Sequence, residues 1–505
     1  MTKWLEKPFI YEINTAVWLT DLSFRFDKPI TLNNIPNEVI DELADLNIDV
    51  IWLMGVWTRS NAVRESALNY MHEYRPVLHD LTEEDVIGSA YAIGGYQVDE
   101  RLGGREGLAK FRKRIKSHGL MLILDFVPNH VSVDHPIIKE RSACMVLGTE
   151  EQHNENPGVF FPTEGKNGKT IYVGHGRDPY FPGWIDTAQL NAFSPDYRSA
   201  AKHTLLDIAS QCDGVRCDMA MLMVNDVFAN TWGRFLQNAT PPQVDFWKEI
   251  IPAVKARHSN FKFIAEVYWN MEYTLLQHGF DMTYDKTLYD RILQADIKHL
   301  RDHLLAPLSY QNRQVRFIEN HDEPRAASSI GLEKKRAAAT LICTVPGAVL
   351  LHDGQFSGRR IKLPVQIKRQ PFETYNRALA GFYKRLLAET RDPIYQHGTW
   401  RLLDLKPAAE FMETHHNLLV YGWQHADQFR LIAINLTGIW SQGIINLGEW
   451  MKIFDDRWVL HDALSNTYRF HFHDNDVVAD DGLYIELEPY QSMILRFGVT
   501  GKSKK

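Results

Sequence analysis

Short, continuous apolar runs recur along the first two thirds of the chain, and stretches with helical spacing separate them. The runs cover residues 9–19, 49–55, 121–127, 214–219, 261–267, 314–319 and 348–352, with 279–284 a weaker member. Continuous rather than alternating hydrophobicity marks strands covered on both faces, as in a parallel sheet. Over residues 106–118, Leu108, Phe111 and Ile115 share one helical face, the last turn is basic, and Gly119 is the stop. Ser194-Pro195 opens a second helix running to Gln211, with Leu205 and Ile208 inward. Repeated strand–helix units of this kind predict an α/β fold, a (β/α)8 TIM barrel. A doubly wound sheet gives a similar pattern.

Two regions break the rhythm. After His130, about 60 residues rich in Gly, Pro, Asn and His are too long for a plain loop, so they predict a small inserted subdomain. Beyond Pro393 the helical spacing stops, and the alternating segments 429–436, 468–472, 483–487 and 492–497 predict an antiparallel β-sandwich domain. The expected division is a barrel over 1–130 and 192–392, an insert over 131–191, a β domain over 393–498, and a disordered tail over 499–505.

Composition narrows the function only slightly. A net charge of −7 argues against a nucleic-acid or anionic-membrane partner and is compatible with a neutral substrate. Cys144, Cys212, Cys217 and Cys343 form no C-x-x-C pair and no zinc pattern, so free buried thiols are expected over disulfides. The opening MTKWLEKPFIYEI lacks an apolar signal core, and no apolar run approaches the roughly 18 residues of a membrane span. A cytoplasmic protein is expected. Oligomeric state leaves no trace in the sequence.

In a barrel of this type, chemistry collects at the C-terminal ends of the strands. Asp125 ends LILDF and is followed by Asn129 and His130; Arg216 and Asp218 lie in GVRCDM; Glu266 ends FKFIAEV; Glu319, His321 and Asp322 follow QVRFI. One strand-end carboxylate is commonly a helix cap or an ion-pair partner. Four groups of them at one rim would repel one another, which points to catalysis or metal binding. Positions i and i+2 of a strand share a face, so Arg216 should hold Asp218 ionised, as a nucleophile requires. Glu266 sits among Phe263, Ile264, Ala265 and Val267, where desolvation would raise its pKa toward that of a general acid.

DFVPNH (125–130), GVRCD (214–218), AEVYW (265–269) and ENHDEPR (319–325) resemble, in order and spacing, the four motifs of the α-amylase family, glycoside hydrolase family 13. The resemblance covers about residues 9–356. It implies a retaining α-glycoside hydrolase acting through a covalent glycosyl-enzyme. Asp218 would be the nucleophile, Glu266 the acid/base, and Asp322 the third carboxylate that binds ring hydroxyls. His130 and His321 would bond the same sugar, Tyr91 would stack on it, Arg216 would orient the nucleophile, and Asp125 would support the site. A structural calcium ion held by Asn129 and Asp186 is also implied, both residues offering oxygen. No organic cofactor is expected.

The chain departs from the pattern where many members carry Lys-His after the nucleophile: Met221 and Leu222 stand there. Gln355 replaces a common Glu, and Gly88-Ser89-Ala90 precede Tyr91 without the nearby Asp that many exo-acting glucosidases and sucrose-splitting members carry. The first reading is therefore hydrolysis of α-1,4-glucan or malto-oligosaccharides. Its rival is a glucanotransferase, or a hydrolase of a small α-glucoside such as sucrose, trehalose or a glucosylated compatible solute. A non-catalytic binding protein is disfavoured because all three carboxylates are present. A metallohydrolase is disfavoured because no H-E-x-x-H spacing occurs.

Overall fold

The structure, a computed structural model, describes residues 4–236, 240–448, 457–465, 470–474 and 482–499. Eight parallel strands close into a barrel: β1 (Phe9–Asn14), β2 (Val50–Met54), β3 (Met121–Phe126), β4 (Gly214–Cys217), β5 (Lys262–Ala265), β6 (Met282–Tyr284), β7 (Gln314–Arg316) and β8 (Ala348–His352). β1 closes the ring between β2 and β8, with Phe9 beside Val349 and Ile10 beside Val50. The expected barrel is present, and the doubly wound alternative is excluded by closure.

The apolar run 9–19 is not one strand. β1 ends at Asn14, whose side chain accepts from the Val17 amide and caps the helix Thr15–Phe26. Residues on that helix's inner face, Val17, Leu19 and Leu22, continue the apolar pattern without a break, so strand and helix merge in the sequence. The helix Pro195–Gln211 starts at Ser194 as its sequence indicates, and Gly104–Ser117 carries Leu108, Phe111 and Ile115 inward.

The insert after β3 holds a small antiparallel sheet of Leu147–Gly148, Thr170–Gly174 and Phe160–Glu164. Its return strand Thr187–Gln189 pairs with His130–Ser132. A second excursion, residues 57–98, packs on the loop after β8 through Ala67, Tyr74, Leu78, Val86 and Ile367. The sequence reading gave that segment no separate status.

The C-terminal domain is a sandwich. Its larger sheet runs in the order Thr399–Leu402, Leu418–His425, Gln428–Asn435, Ser492–Val499, Arg457–Asp462, Phe470–Asp474. A smaller sheet of Leu405–Lys406, Ser441–Ile445 and Leu483–Leu487 covers one face. The other face lies on the barrel. Along Leu418–His425 the side chains alternate between these neighbours: Leu419, Tyr421 and Trp423 join the barrel core, while Leu418 and Val420 join the sandwich core. Trp423 Nε1 donates to Thr344 O at 2.7 Å, and Lys7 Nζ lies 3.8 Å from the Trp423 ring centroid. Glu389, buried, accepts from Arg430 and Arg496 across the same contact. Val499 closes the last strand, and residues 500–505 of the expected tail lie outside the described residues, as do Tyr468 and Arg469 of the expected strand 468–472. All four cysteines are free and buried. Among the described residues no helix is long and apolar enough to cross a membrane.

Gly347 opens β8 with φ +116°, and a Cβ there would meet Gln314 O at 2.6 Å and Gln311 O at 2.9 Å. Both obstacles are backbone, which cannot rotate away. Gly347→Ala is therefore expected to destabilise the barrel by about 2 kcal/mol or more. Thermal unfolding checks this; an unchanged midpoint would contradict the close approach of β7 and β8.

Candidate active site

Arg216 on β4 is 1% exposed and faces the barrel axis at the C-terminal rim. One guanidinium nitrogen donates to Asp218 Oδ1 at 2.7 Å and lies 3.7 Å from Asp125. The other lies 2.9 Å from Glu266 Oε1 and 3.8 Å from Asp322. The rings of Tyr91, Trp52 and Tyr284 close around the cation, with centroids 5.2–5.8 Å away. Carboxylates after four different strands thus meet at one buried cation, as their positions in the sequence indicated.

Asp218 follows β4 directly, its amide donating to Phe126 O at 2.9 Å on the neighbouring strand. Glu266 follows β5 and is 2% exposed. Its Oε2 accepts from the Met219 amide at 2.6 Å, and its Oε1 accepts from the Tyr268 hydroxyl at 3.1 Å. Met219 holds a left-handed backbone, φ 42°, which brings its N–H to that carboxylate. Burial pushes Glu266 up to about 7, opposed by Arg216 and helped by Asp218 and Asp322. Burial likewise pushes Asp125 up to about 6 against the pull of Arg216. Asp125 Oδ2 accepts from Trp52 Nε1 at 3.1 Å.

Asp322 lies nearer to solvent, its side chain 43% exposed, and its Oδ2 is 2.9 Å from His321 Nε2. The far nitrogen of His321 meets Glu12 Oε1 at 2.5 Å. Burial alone would discharge this imidazole, but Asp322 and Glu12 outweigh it and raise its pKa to about 10. His321 is therefore a cation between two carboxylates. Asp322 is correspondingly held well below the usual carboxylate range: burial works against this, and His321 and Arg216 outweigh it. Tyr91 stacks on the His321 ring, with centroids 5.1 Å apart and planes 16° from parallel. His130 is buried beside Trp184 at the mouth of the insert, and burial lowers its pKa while Asp218 pulls the other way.

Glu12, Trp52 and Tyr284 also belong to this cluster, and the sequence reading did not assign them to it; Tyr268, which the sequence offers with Trp269 as a sugar platform beside Glu266, bonds the Glu266 carboxylate itself. Glu12 had a signal: it stands near the end of β1, but the long run 9–19 disguised it as mid-strand. Glu319 departs the other way. It turns from the centre and accepts from Arg325 at 2.8 Å, the Ala326 amide at 2.9 Å and Lys335 Nζ at 3.2 Å, all buried. Arg325 is thus committed to a buried pair, and Glu323 pairs with Lys286 at 3.3 Å. Met221 and Leu222 are buried in the turn Ala220–Met223.

Asn129 and Asp186, the expected calcium ligands, each have protein partners. Asn129 Oδ1 accepts from Gln189 Nε2 at 2.8 Å. One acceptor direction of the Asn129 side chain is thus already taken by an amide N–H. Burial raises the Asp186 pKa, against the pull of His130 and His175.

Beside Glu266 a cavity of about 400 Å³ opens, lined in part by Asp178, Phe181, Met219, Tyr268, Trp269 and Lys286. Its rim is aromatic and solvent-facing: Tyr180 is 69% exposed, Phe181 66% and Trp269 37%. Tyr180 packs edge-on against Trp269 at 5.1 Å. Trp269 and Asn270 both have positive φ, 63° and 57°, a costly backbone that turns the indole toward the rim.

The chain is similar to known proteins. Over 370 residues the chain is 25% identical to Alpha-amylase MalA of Haloarcula japonica, covering 71% of this chain and 45% of that protein. It is 22% identical over 350 residues to a probable oligo-1,6-glucosidase 2 of Bacillus subtilis, covering 61% and 57%. The chain thus spans about half the length of these relatives. Among solved structures, a noncanonic maltogenic alpha-amylase, AmyB from Thermotoga neapolitana, superposes with a TM-score of 0.66 at 18% identity, covering 98% of this chain and 99% of that one. This last likeness is one of fold. Residues 36–401 match the family model for the alpha amylase catalytic domain, and with barrel, insert and carboxylate cluster in agreement, the chain belongs to the alpha-amylase family.

Proposed function

We propose that the protein is a retaining α-glycoside hydrolase that cleaves α-1,4-linked glucan or malto-oligosaccharides. The observation that carries this is Arg216 in contact with Asp218 and Glu266 at once, with Glu266 pushed up to about 7. Two carboxylates share one cation, and Glu266 is the one able to hold a proton near neutrality.

Asp218 Oδ1 is bound to Arg216, so Oδ2 is the oxygen free to attack the anomeric carbon. The C–O bond to the leaving group breaks as Glu266 gives its proton to the departing oxygen, leaving a glycosyl ester on Asp218. Glu266, now a carboxylate, takes a proton from water, whose oxygen attacks the same carbon and frees Asp218. Two inversions give net retention. Asp322 and His321 bind hydroxyls of the reacting sugar, and Tyr91 and His130 complete its pocket. The aromatic rim at Trp269, Tyr180 and Phe181 offers apolar faces to further sugar rings.

The rival reading keeps this machinery and changes the substrate or acceptor: a glucanotransferase, or a hydrolase of a small α-glucoside. Met221 and Leu222, apolar and buried where relatives of this family often carry Lys-His, favour it by removing a polar contact on the leaving-group side. The similarity to a probable oligo-1,6-glucosidase points the same way. The four free thiols support a reducing, cytoplasmic setting.

Chromatography of products from maltoheptaose tests the main reading. Shorter malto-oligosaccharides support hydrolysis, longer products indicate transfer, and an untouched substrate with cleaved sucrose or trehalose establishes the rival. Asp218→Asn and Glu266→Gln are each expected to lower kcat by roughly three orders of magnitude or more on whichever substrate is turned over. Near-normal turnover in either, with the fold intact by circular dichroism, would reject the assignment. In the pH profile, kcat/KM is expected to fall as pH rises through about 7, because Glu266 must begin protonated. The Tyr268 hydroxyl donates to the ionised form and so holds that pKa down. Tyr268→Phe should therefore move the alkaline limb to higher pH; a limb that stays or moves down would remove Tyr268 from this role.

A further inference from the structure

The junction between barrel and insert has an unusual interior. Gln189 is fully buried there, and its amide nitrogen faces three oxygens at once: Asn129 O at 2.8 Å, Asn129 Oδ1 at 2.8 Å and Leu190 O at 3.0 Å. Its own oxygen accepts from the Arg177 amide at 3.3 Å. The reverse orientation would set the Gln189 oxygen against three others and its NH2 against an N–H, so the network fixes the amide as it stands. The separations are those of N–H···O bonds, about 0.3–0.5 Å longer than calcium–oxygen contacts of roughly 2.3–2.6 Å.

Three converging oxygens are what a cation site supplies, and here the electropositive group they surround is covalently part of the chain. We propose that the Gln189 amide does at this junction the work of a bound calcium ion, so that the fold takes no calcium at Asn129. The amide ties the carbonyl and side chain of Asn129 to the strand Thr187–Gln189, which pairs in register with His130–Ser132. It thereby fixes the segment from which His130 reaches the active-site rim. An amide carries no net charge, so its two N–H groups, one of them shared between two oxygens, hold this cluster without the carboxylates a calcium ion would need around it. This inference does not rest on the proposed reaction.

The test uses the full chain, purified, treated with EGTA and returned to buffer with or without millimolar calcium. Wild type is expected to hold at most about 0.1 calcium per chain by mass spectrometry and to melt at the same temperature to within about 1 °C in both buffers, since an ion that does not bind the native state cannot stabilise it. Gln189→Glu places a carboxylate among three carbonyl oxygens. It is expected to melt at least about 3 °C lower in EGTA, with calcium raising the midpoint again. The proposal is overturned if EGTA lowers the wild-type midpoint by several degrees and Asn129→Ala abolishes that response. It is also overturned if Gln189→Glu melts like wild type in EGTA. Should the variants fold poorly, a wild type that holds no calcium supports the proposal, and one calcium per chain with a midpoint lowered in EGTA overturns it.

Discussion

A guanidinium with almost no water around it is the constraint on which the rest of this site depends. Arg216 is the cation shared by Asp125, Asp218, Glu266 and Asp322, and removing one partner of such a buried pair commonly costs about 3–5 kcal/mol. With Glu12 there are more acids in the cluster than Arg216 and His321 can neutralise. Burial raises Asp125 to about 6 and Glu266 to about 7, and neighbouring carboxylates add to the rise. The shortage of positive charge thus leaves Glu266 able to hold a proton near neutrality. No residue has to be specially basic or acidic.

Around that centre, backbone and second contacts do the positioning. Glu12 reaches His321 from β1, across the seam where the barrel closes, so the charge of the β7 loop depends on the ring being complete. Glu319, Arg325 and Lys335 form a buried ionic network beneath the same loop and leave Asp322 at the surface of the pocket. The left-handed residues Met219, Trp269 and Asn270 all flank the two central carboxylates. Strain of this kind persists only where surrounding packing fixes it.

The strand-end carboxylates were legible because their chemistry is local: an ionisable residue ending an apolar run is visible in the sequence, and the parallel barrel brings such ends to one rim. The barrel was legible for the same reason, through continuous apolar runs. Glu12 was not, because the inward face of the first helix prolongs the run that contains it. Tyr268 was visible only as an aromatic after Glu266; its hydroxyl contact depends on the turn at Trp269 and Asn270. The pairing of Asn129 with Gln189 rather than Asp186 depends on strand register in the insert, and a register is set by tertiary pairing that no short motif encodes.

The seam between β1 and β8 has a consequence in time. Phe9 finds its partner Val349 only after most of the chain has been made. At ~5–20 residues per second, translation leaves an interval on the order of 20 s or longer between the two. Until then the β1 edge, apolar from Phe9 to Tyr11, has β2 on one side and nothing on the other. The straps that hold this end of the barrel, Arg391 on Asp49 and Tyr395 with Gln396 on Lys7, emerge later still. The period in which a nascent chain can join the wrong neighbour is therefore set by the distance between its first and last barrel strands, and a ribosome that pauses before Val349 would lengthen it without altering the finished fold.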